Sequence, residues 1–175
     1  LREKSLPDGA LLEVATECAR LCSRLGAPFV VNDRADIALA AGADGVHVGQ
    51  DDLSVNAVRA LLGADRIIGL STHASAQIDA AGDADYLGVG PIHETPTKPG
   101  REAVGTDLVR YAAAHAAVPF FAIGGLDPTN VGDVVRAGAR GVSVLRWVTR
   151  SDDPARAARE MRDAIDAALR DPIPT

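Results

Sequence analysis

The sequence predicts an α/β protein, a (β/α)8 barrel, from three observations. Short runs rich in Val, Ile and Phe recur at intervals of roughly twenty residues, and an Ala-rich helical pattern follows each run. A phrase of the type Ala-Gly-Ala-Asp-Gly-Val stands before several runs. Apolar runs alternating with helices are typical of βαβ units and a parallel sheet. The repeated phrase, with polar residues after many strands, favours a closed barrel over an open doubly wound sheet.

Six runs are predicted to be strands. They span residues 29–31, 45–48, 67–70, 86–89, 120–123 and 141–145. The repeated phrase occupies 41–46 and 137–142, with a looser copy at 81–86, and its glycine is the residue expected where a helix ends before a strand. Asp127-Pro128 and Asp153-Pro154 each predict a helix start, with an acid as N-cap and proline at the first helical position.

The N-terminal segment raises the question of barrel completeness, because a barrel of this type needs eight strands. Leu1-Arg2-Glu3-Lys4 precedes a loop with Pro7 and Gly9 and then a helix over about residues 10–25. This order indicates that a strand ends near residue 1. We therefore expect one barrel domain over residues 1–175 that is N-terminally incomplete, with the first βα unit and most of strand 2 missing.

Composition narrows the classes of function. The chain has 175 residues, 47% of them hydrophobic, which is enough for one sizeable core. Its net charge is −6 and its arginines are dispersed, so nucleic acid is not expected as a partner. No apolar stretch approaches the ~20 residues that span a bilayer, and no signal peptide is recognised, which predicts a cytoplasmic protein without membrane contact. Cys18 and Cys22 lie four residues apart on an apolar helical face and are expected in the core.

Two acids follow neighbouring predicted strands. Asp33 comes after the first strand and Asp52 after the second. Adjacent parallel strands lie about 4.8 Å apart, so both carboxylates can reach one ion, and few oxygen ligands combined with substrate phosphates suit Mg²⁺. The alternative is that Asp33 caps a helix and Asp52 is a loop acid.

A second group of residues suggests phosphate binding. The segment 90–100 is rich in Pro and Gly and carries Thr95, Thr97 and Lys98, as expected of an ordered phosphate loop, although a rigid surface loop is the alternative. Gly124-Gly125 follows a strand, where bare backbone amides bind phosphate or a tight turn needs positive φ. Arg146 ends the next predicted strand. The four histidines show no zinc or triad spacing, and His93 is interpreted as a plain loop residue.

Several phrases together resemble the thiamine phosphate synthase family, over essentially the whole chain. They are Leu1-Arg2-Glu3-Lys4, Val31-Asn32-Asp33-Arg34, His47-Val48-Gly49-Gln50 with Asp52, Gly69-Leu70-Ser71-Thr72-His73, Gly88 to Gly90 leading into Thr95-Pro96-Thr97-Lys98-Pro99-Gly100, and Ile123-Gly124-Gly125. The resemblance implies a TIM barrel transferase that joins hydroxymethylpyrimidine diphosphate to a thiazole phosphate or its carboxylate, giving thiamine phosphate and pyrophosphate. The implied partners are these small molecules, and a homo-oligomer is left open.

The resemblance also implies residue roles. Arg2, Lys4, Asn32, Ser71 and Lys98 would contact the pyrimidine diphosphate, with Arg2, Lys4, Ser71 and Lys98 as the catalytic set. Asp33 and Asp52 would hold Mg²⁺. Thr95, Thr97, Gly125, Leu145 and Arg146 would bind the thiazole phosphate.

Two departures from the family pattern stand out. A family glutamine should precede Leu1, and Arg146 replaces a serine that is common in relatives, although a guanidinium also binds phosphate. Two other interpretations stay open: a thiazole tautomerase of the same superfamily, which needs no diphosphate, and a noncatalytic ligand-binding barrel fragment. The paired acids argue against the tautomerase, because they would have no metal to hold.

Overall fold

The computed structural model of the chain describes residues 1–95, 100 and 102–170, and shows an α/β fold. The strands are β1 Val30–Asn32, β2 Gly45–Val48, β3 Ile67–Thr72, β4 Tyr86–Val89, β5 Phe120–Ile123 and β6 Gly141–Ser143. The helices are α1 Asp8–Leu25, α2 Ala35–Ala41, α3 Val55–Leu62, α4 Ser75–Asp79, α5 Gly105–His115, α6 Val131–Arg136, α7 Arg146–Thr149 and α8 Pro154–Arg170.

The chain divides into two compact units. The first comprises Leu1–Ser71 and Ala81–Leu87, and the second comprises Thr72–Ala80 and Gly88–Thr175. In the first unit the sheet order is β1-β2-β3, with parallel pairing that sets His47 opposite Gly69. In the second unit β5 pairs with β6, also in parallel.

The six predicted strands are all present. The bounds of β2, β4 and β5 agree with the sequence prediction, whereas β1 lies one residue later than expected. β3 continues to Thr72 because Ser71 and Thr72 are buried, at 7% and 0% exposure, and run on within the sheet despite their hydroxyls. β6 ends at Ser143, since the chain then turns into α7.

One predicted helix start is confirmed and the other is wrong. α8 begins at Pro154, and the Asp153 carboxylate accepts a hydrogen bond from the Arg156 amide at 2.9 Å, as an N-cap should. Asp127-Pro128 does not start α6. The Asp127 carboxylate instead accepts hydrogen bonds from the amide and hydroxyl of Thr129, at 2.8 and 2.6 Å, and so closes a turn.

The acid of the repeated phrase has a structural role. The Asp44 carboxylate accepts a hydrogen bond from the amide of Phe29 at 2.7 Å, and the Asp85 carboxylate accepts one from the amide of Ile68, also at 2.7 Å. Each acid precedes a strand and ties down an amide at the start of the strand beside it. The acids of the repeated phrase therefore stabilise the N-terminal ends of the strands. The predicted chemistry lies at the opposite, C-terminal ends.

Each unit has its own apolar core. In the first unit the almost fully buried residues include Val31, Val46 and Ile68. In the second unit a buried cluster forms around Val109, Ala122 and Val134. Cys18 and Cys22 are free thiols with partial exposure, so their expected place in the core is wrong. Within the described part of the chain, no helix combines the length and apolar character needed to cross a membrane.

Candidate functional site

Asp33 occupies the first position after β1. Its φ is +65°, in the left-handed region that aspartate tolerates better than most residues. Its amide donates to the carbonyl of His47 in β2 at 2.8 Å, and its carboxylate forms an ion pair with the Lys4 ammonium at 2.7 Å. The interpretation of Asp33 as a helix cap is wrong, because α2 begins at Ala35 and Arg34 holds the cap position.

The segment that carries Arg2 and Lys4 pairs with β1. The α-amino group of Leu1 donates to the Val30 carbonyl at 2.7 Å, and the Asn32 amide donates to the Leu1 carbonyl at 2.9 Å. Arg2 and Lys4 are exposed, and Asn32, the last residue of β1, is half-buried. Two cations and an amide predicted to bind the diphosphate therefore lie at one edge of the first unit, beside Asp33.

Asp52 lies in the loop after β2. Its carboxylate accepts a hydrogen bond from the Gly49 amide at 2.7 Å, so the loop itself orients the acid. A Cβ at Gly49 would lie 3.0 Å from this carboxylate, so the acid would have to shift slightly to keep its hydrogen bond. Residues 1–95, 100 and 102–170 contain no group of three or more His, Cys, Asp or Glu side chains arranged for a metal. Carboxylates are a donor type that suits Mg²⁺, which takes its remaining ligands from water and phosphate. That Asp33 and Asp52 share one such ion stays a prediction.

Ser71 is held by a network that the sequence analysis missed. Nε2 of His47 lies 2.8 Å from the Ser71 hydroxyl, and Nδ1 of His47 lies 2.9 Å from the Tyr86 hydroxyl. The Gln50 side-chain amide donates to the Ser71 carbonyl at 2.7 Å. Burial raises the pKa of Tyr86 to about 12, so its hydroxyl keeps its proton near neutral pH. Ser71 is thus held at two points, its hydroxyl by His47 and its carbonyl by Gln50.

Gly69 is the sequence signal that could have revealed this network. It lies inside β3, where an apolar residue is expected, and a Cβ there would meet the Tyr86 ring at 2.1 Å and the His47 ring at 2.4 Å. A glycine inside a strand often marks a close approach of other groups. Here it makes room for the histidine and the tyrosine to meet on the same sheet face as Ser71.

In the second unit, the residues after β4 run alongside the end of β5. The Ile92 amide donates to the Ile123 carbonyl at 2.9 Å, and the His93 amide donates to the Gly124 carbonyl at 3.2 Å. Thr95 is half-buried at the end of this segment. Thr97 and Lys98 lie outside the described residues.

Gly124 and Gly125 need to be glycine for two reasons. Their φ angles are +108° and +64°, and an added Cβ would meet Pro91 at 2.6 Å and His93 at 2.7 Å, respectively. The side-chain amide of Asn130 donates to the Gly125 carbonyl at 2.9 Å and holds the turn. The turn interpretation is therefore confirmed, while phosphate binding by these amides stays a prediction.

Two further predicted residues have a different local structure from the one expected. Leu145 and Arg146 do not end a strand: β6 stops at Ser143, and Arg146 is the first residue of α7. Both side chains are exposed, Leu145 to 54%. Their assignment to a strand end is wrong because the apolar run 141–145 breaks at the turn, and their phosphate role stays a prediction.

The remaining histidines differ in their surroundings. His93 is in a loop, as predicted, but its Nε2 is buried and makes no hydrogen bond within the described residues. Nδ1 of His73 contacts the Gly90 carbonyl, and His115 at the end of α5 stacks on Tyr111. None of these arrangements is a zinc site or a triad.

Comparison with known proteins gives consistent matches. Residues 1–148 match the family model described as thiamine monophosphate synthase. The thiamine-phosphate synthase of Thermosynechococcus vestitus is 48% identical over 162 residues, covering 91% of this chain and 46% of that protein. The thiamine-phosphate synthase of Mycobacterium sp. strain JLS is 53% identical over 159 residues, covering 89% of this chain and 69% of that protein.

A solved structure is also similar. Thiamine phosphate pyrophosphorylase from Pyrococcus furiosus superimposes with a TM-score of 0.85 at 29% identity, covering 96% of this chain and 82% of that one. The chain thus spans about half the length of the cyanobacterial relatives that it matches, and a larger share of the mycobacterial one.

Proposed function

The chain belongs to the thiamine monophosphate synthase family, and we propose from this that it joins hydroxymethylpyrimidine diphosphate to a thiazole phosphate, releasing pyrophosphate. The observation that carries the proposal is the cluster at the ends of β1 to β3. It combines the Lys4–Asp33 ion pair, the oriented Asp52 carboxylate and the fixed Ser71 hydroxyl. Cations, acids and a hydroxyl together are what a diphosphate with a divalent cation requires.

The first unit is proposed to bind the pyrimidine diphosphate. Arg2 and Lys4 supply positive charge to the diphosphate oxygens, while Asn32 and Ser71 supply neutral hydrogen bonds. Lys98, which lies outside the described residues, completes this set in the family resemblance. Lys4 already faces a carboxylate at 2.7 Å, so its ammonium is held near the proposed position of the leaving group.

Asp33 and Asp52 are proposed to hold Mg²⁺. When bound, the ion would neutralise negative charge on the departing pyrophosphate. Asp33 stands where its amide contacts β2, and Asp52 belongs to the loop that follows β2, so both acids come from neighbouring parallel strands. This placement on neighbouring strands supports the proposal, since adjacent parallel strands lie about 4.8 Å apart.

The second unit is proposed to bind the thiazole phosphate. The amides of Gly124 and Gly125 offer donors without side chains, as phosphate-binding turns do. Thr95 and Thr97 add hydroxyl donors, and Leu145 with Arg146 adds a backbone segment and a cation. The Asn130 hydrogen bond to the Gly125 carbonyl supports this role, because it keeps the turn in one conformation.

In the proposed reaction, the bond between the pyrimidine methylene carbon and the diphosphate oxygen breaks, and its electron pair leaves with pyrophosphate. The thiazole nitrogen then supplies its lone pair to the methylene carbon. No proton needs to be transferred in this step. The protein's part is to align the nucleophile and to stabilise charge on the leaving group.

The six strands are further proposed to belong to a (β/α)8 barrel. Parallel pairing of β1 with β2, β2 with β3 and β5 with β6 supports this, as does the similarity to the Pyrococcus pyrophosphorylase. In such barrels the chemistry lies at the C-terminal ends of the strands. Asp33, Asp52, Thr95, Gly125 and Arg146 follow β1, β2, β4, β5 and β6, respectively, and Ser71 lies near the end of β3.

The test is pyrophosphate release by the chain given both substrates and Mg²⁺. We expect release that needs both substrates and stops when EDTA is added. Binding of thiazole phosphate without any binding of the pyrimidine diphosphate would replace the synthase proposal with a tautomerase. Binding of neither substrate would make the chain a noncatalytic fragment.

A further inference from the structure

Three side chains of the first unit form a continuous line of hydrogen bonds. Tyr86 in β4 contacts Nδ1 of His47 at 2.9 Å, and Nε2 of His47 contacts the Ser71 hydroxyl at 2.8 Å. The rings of His47 and Tyr86 lie 5.4 Å apart, centre to centre. The line crosses β3 above Gly69, where a side chain would block it.

The position of the imidazole hydrogen decides whether Ser71 can donate or accept a further hydrogen bond. A neutral imidazole carries one hydrogen, on Nδ1 or on Nε2. If Nε2 carries it, His47 donates to the serine oxygen, and the serine hydrogen is left for another acceptor. If Nδ1 carries it, Nε2 accepts the serine hydrogen, and Ser71 presents lone pairs.

A diphosphate oxygen is an acceptor, so it needs the first arrangement. A serine that presents lone pairs to it would repel it, whereas a serine that donates would bind it. The Tyr86 hydroxyl fits either state, since it can donate to a bare Nδ1 or accept from Nδ1–H. In the first arrangement Tyr86 donates to Nδ1, Nε2 donates to Ser71, and the Ser71 hydrogen is free to point at the anion. Tyr86 retains its own hydroxyl hydrogen at neutral pH, since burial raises its pKa to about 12.

We propose that Tyr86 and His47 are positioning residues that fix Ser71 as a hydrogen-bond donor to an anionic oxygen of the diphosphate. The proposal rests on the proposed function for the identity of that anion. The tautomer of His47 and its dependence on Tyr86 do not rest on it. The Gln50 hydrogen bond to the Ser71 carbonyl fixes the backbone of the same residue, so hydroxyl and backbone are both held.

The first experiment reads the tautomer. In the chain labelled with ¹⁵N-histidine, NMR at neutral pH should show His47 with its hydrogen on Nε2, and His47→Gln identifies its signals among the four histidines. In Tyr86→Phe the hydrogen should redistribute toward Nδ1. Tyr111→Phe is the matched control, because that tyrosine hydroxyl contacts the Asp79 carboxylate and should leave His47 unchanged.

The second experiment measures binding by calorimetry, with the pyrimidine diphosphate and, separately, inorganic pyrophosphate, each with Mg²⁺. Tyr86→Phe should weaken binding about 5-fold, the effect of one neutral hydrogen bond. The same change in a Ser71→Ala background should have no further effect, since Tyr86 and His47 then have no serine hydroxyl to orient. His47→Gln, whose amide can still donate to Ser71, should bind more tightly than His47→Ala.

The outcomes separate the two proposals. A hydrogen on Nδ1 of His47 in the unaltered chain, or an additive effect of Tyr86→Phe and Ser71→Ala, would overturn the proposal that Tyr86 and His47 position Ser71. Failure of the chain to bind either anion, with the tautomer as expected and sensitive to Tyr86, would overturn the proposed function and with it the stated role of Ser71. Thermal unfolding of each variant shows whether it is folded. If Tyr86→Phe does not fold, the binding of His47→Gln compared with that of His47→Ala tests the proposal instead.

Discussion

The two units present their proposed binding groups by different means. In the first unit the groups are side chains fixed by other side chains or by loop amides: Lys4 by Asp33, Asp52 by Gly49 and Ser71 by His47. In the second unit the proposed groups are mainly backbone amides, exposed by Gly124 and Gly125 and held by Asn130.

This difference teaches how each unit should respond to change. The side chains of the first unit bind through their charge, so a substitution that removes charge should impair binding more than one that only changes shape. A glycine turn has no side-chain charge to lose, but any Cβ alters it. Substitutions that change charge alone and those that add volume alone therefore test the comparison directly.

The largest effect is expected for Asp33→Asn. The change removes charge while keeping a residue that tolerates a φ of +65°, so the fold should survive. We expect pyrophosphate release to fall about 100-fold or more, the scale found when one element of charge stabilisation is lost. Steady-state kinetics over a range of Mg²⁺ concentrations measures this.

The Mg²⁺ range distinguishes two roles of Asp33. If the residue holds the ion, Asp33→Asn should raise the Mg²⁺ concentration needed for half-maximal rate. A loss of rate with an unchanged Mg²⁺ requirement would instead mean that Asp33 acts by placing Lys4. Asp65→Asn, in an exposed loop before β3, is the control and should change neither quantity.

A smaller effect is expected for Gly125→Ala in the second unit. The new Cβ would lie 2.7 Å from that of His93, at a φ of +64°. We expect thiazole phosphate to bind about 10-fold more weakly, because overpacking on this scale costs roughly 1–3 kcal/mol. Gly26→Ala has almost the same φ, +65°, with nothing within 4 Å of the new Cβ, and isolates the backbone strain. Equal binding in both variants would remove the Gly125 turn from the phosphate proposal.

The strands could be read from the sequence because local patterns determine them. β2, β4 and β5 are short Val, Leu, Ile or Phe runs bounded by loop residues, and their bounds agree with the structure. Asp127-Pro128 misled because the same acid can cap a helix or close a turn. Here the turn prevails, since Thr129 offers both an amide and a hydroxyl to the Asp127 carboxylate.

The candidate site was harder to predict where it depends on strand register. His47 lies 24 residues from Ser71 and 39 from Tyr86, and no local pattern joins them. Their meeting follows from the pairing of His47 with Gly69 across two strands. Asp33 and Asp52 could be proposed from local signals, because Asp33 directly follows β1 and Asp52 lies in the short loop after β2. The Lys4 contact to Asp33, in contrast, requires the pairing of Leu1 with β1.

A third prediction concerns the acids that carry no chemistry. Asp44→Ala leaves the Phe29 amide without its carboxylate partner, and we expect a loss of about 1–2 kcal/mol in the free energy of unfolding. Catalytic rate should stay within error, because Asp44 lies at the N-terminal end of β2. Urea unfolding with a parallel assay measures both, and Asp44→Asn, which keeps an acceptor oxygen, should lose less. A kinetic defect in Asp44→Ala without loss of stability would contradict the division between structural and chemical acids.

The smallest effect is expected for Arg34→Gln, in the loop beside Asp33. The Arg34 guanidinium contacts Asp8 and Asp36 at 2.7 Å each, and its hydrogen bonds hold the pKa of both carboxyls below the usual range. A lowered pKa in the folded state adds stability that is present above the ordinary value, about 4, and is lost as the pH falls through the folded pKa. Arg34→Gln should therefore lower Tm slightly at pH 7 and flatten its fall below pH 4. Arg20→Gln, which breaks a pair within α1, is the control. If Arg34→Gln leaves the acid limb of the Tm profile unchanged, these exposed ion pairs add no measurable stability to the first unit. The stability of that unit would then come from other contacts, such as the half-buried ones around Ser71.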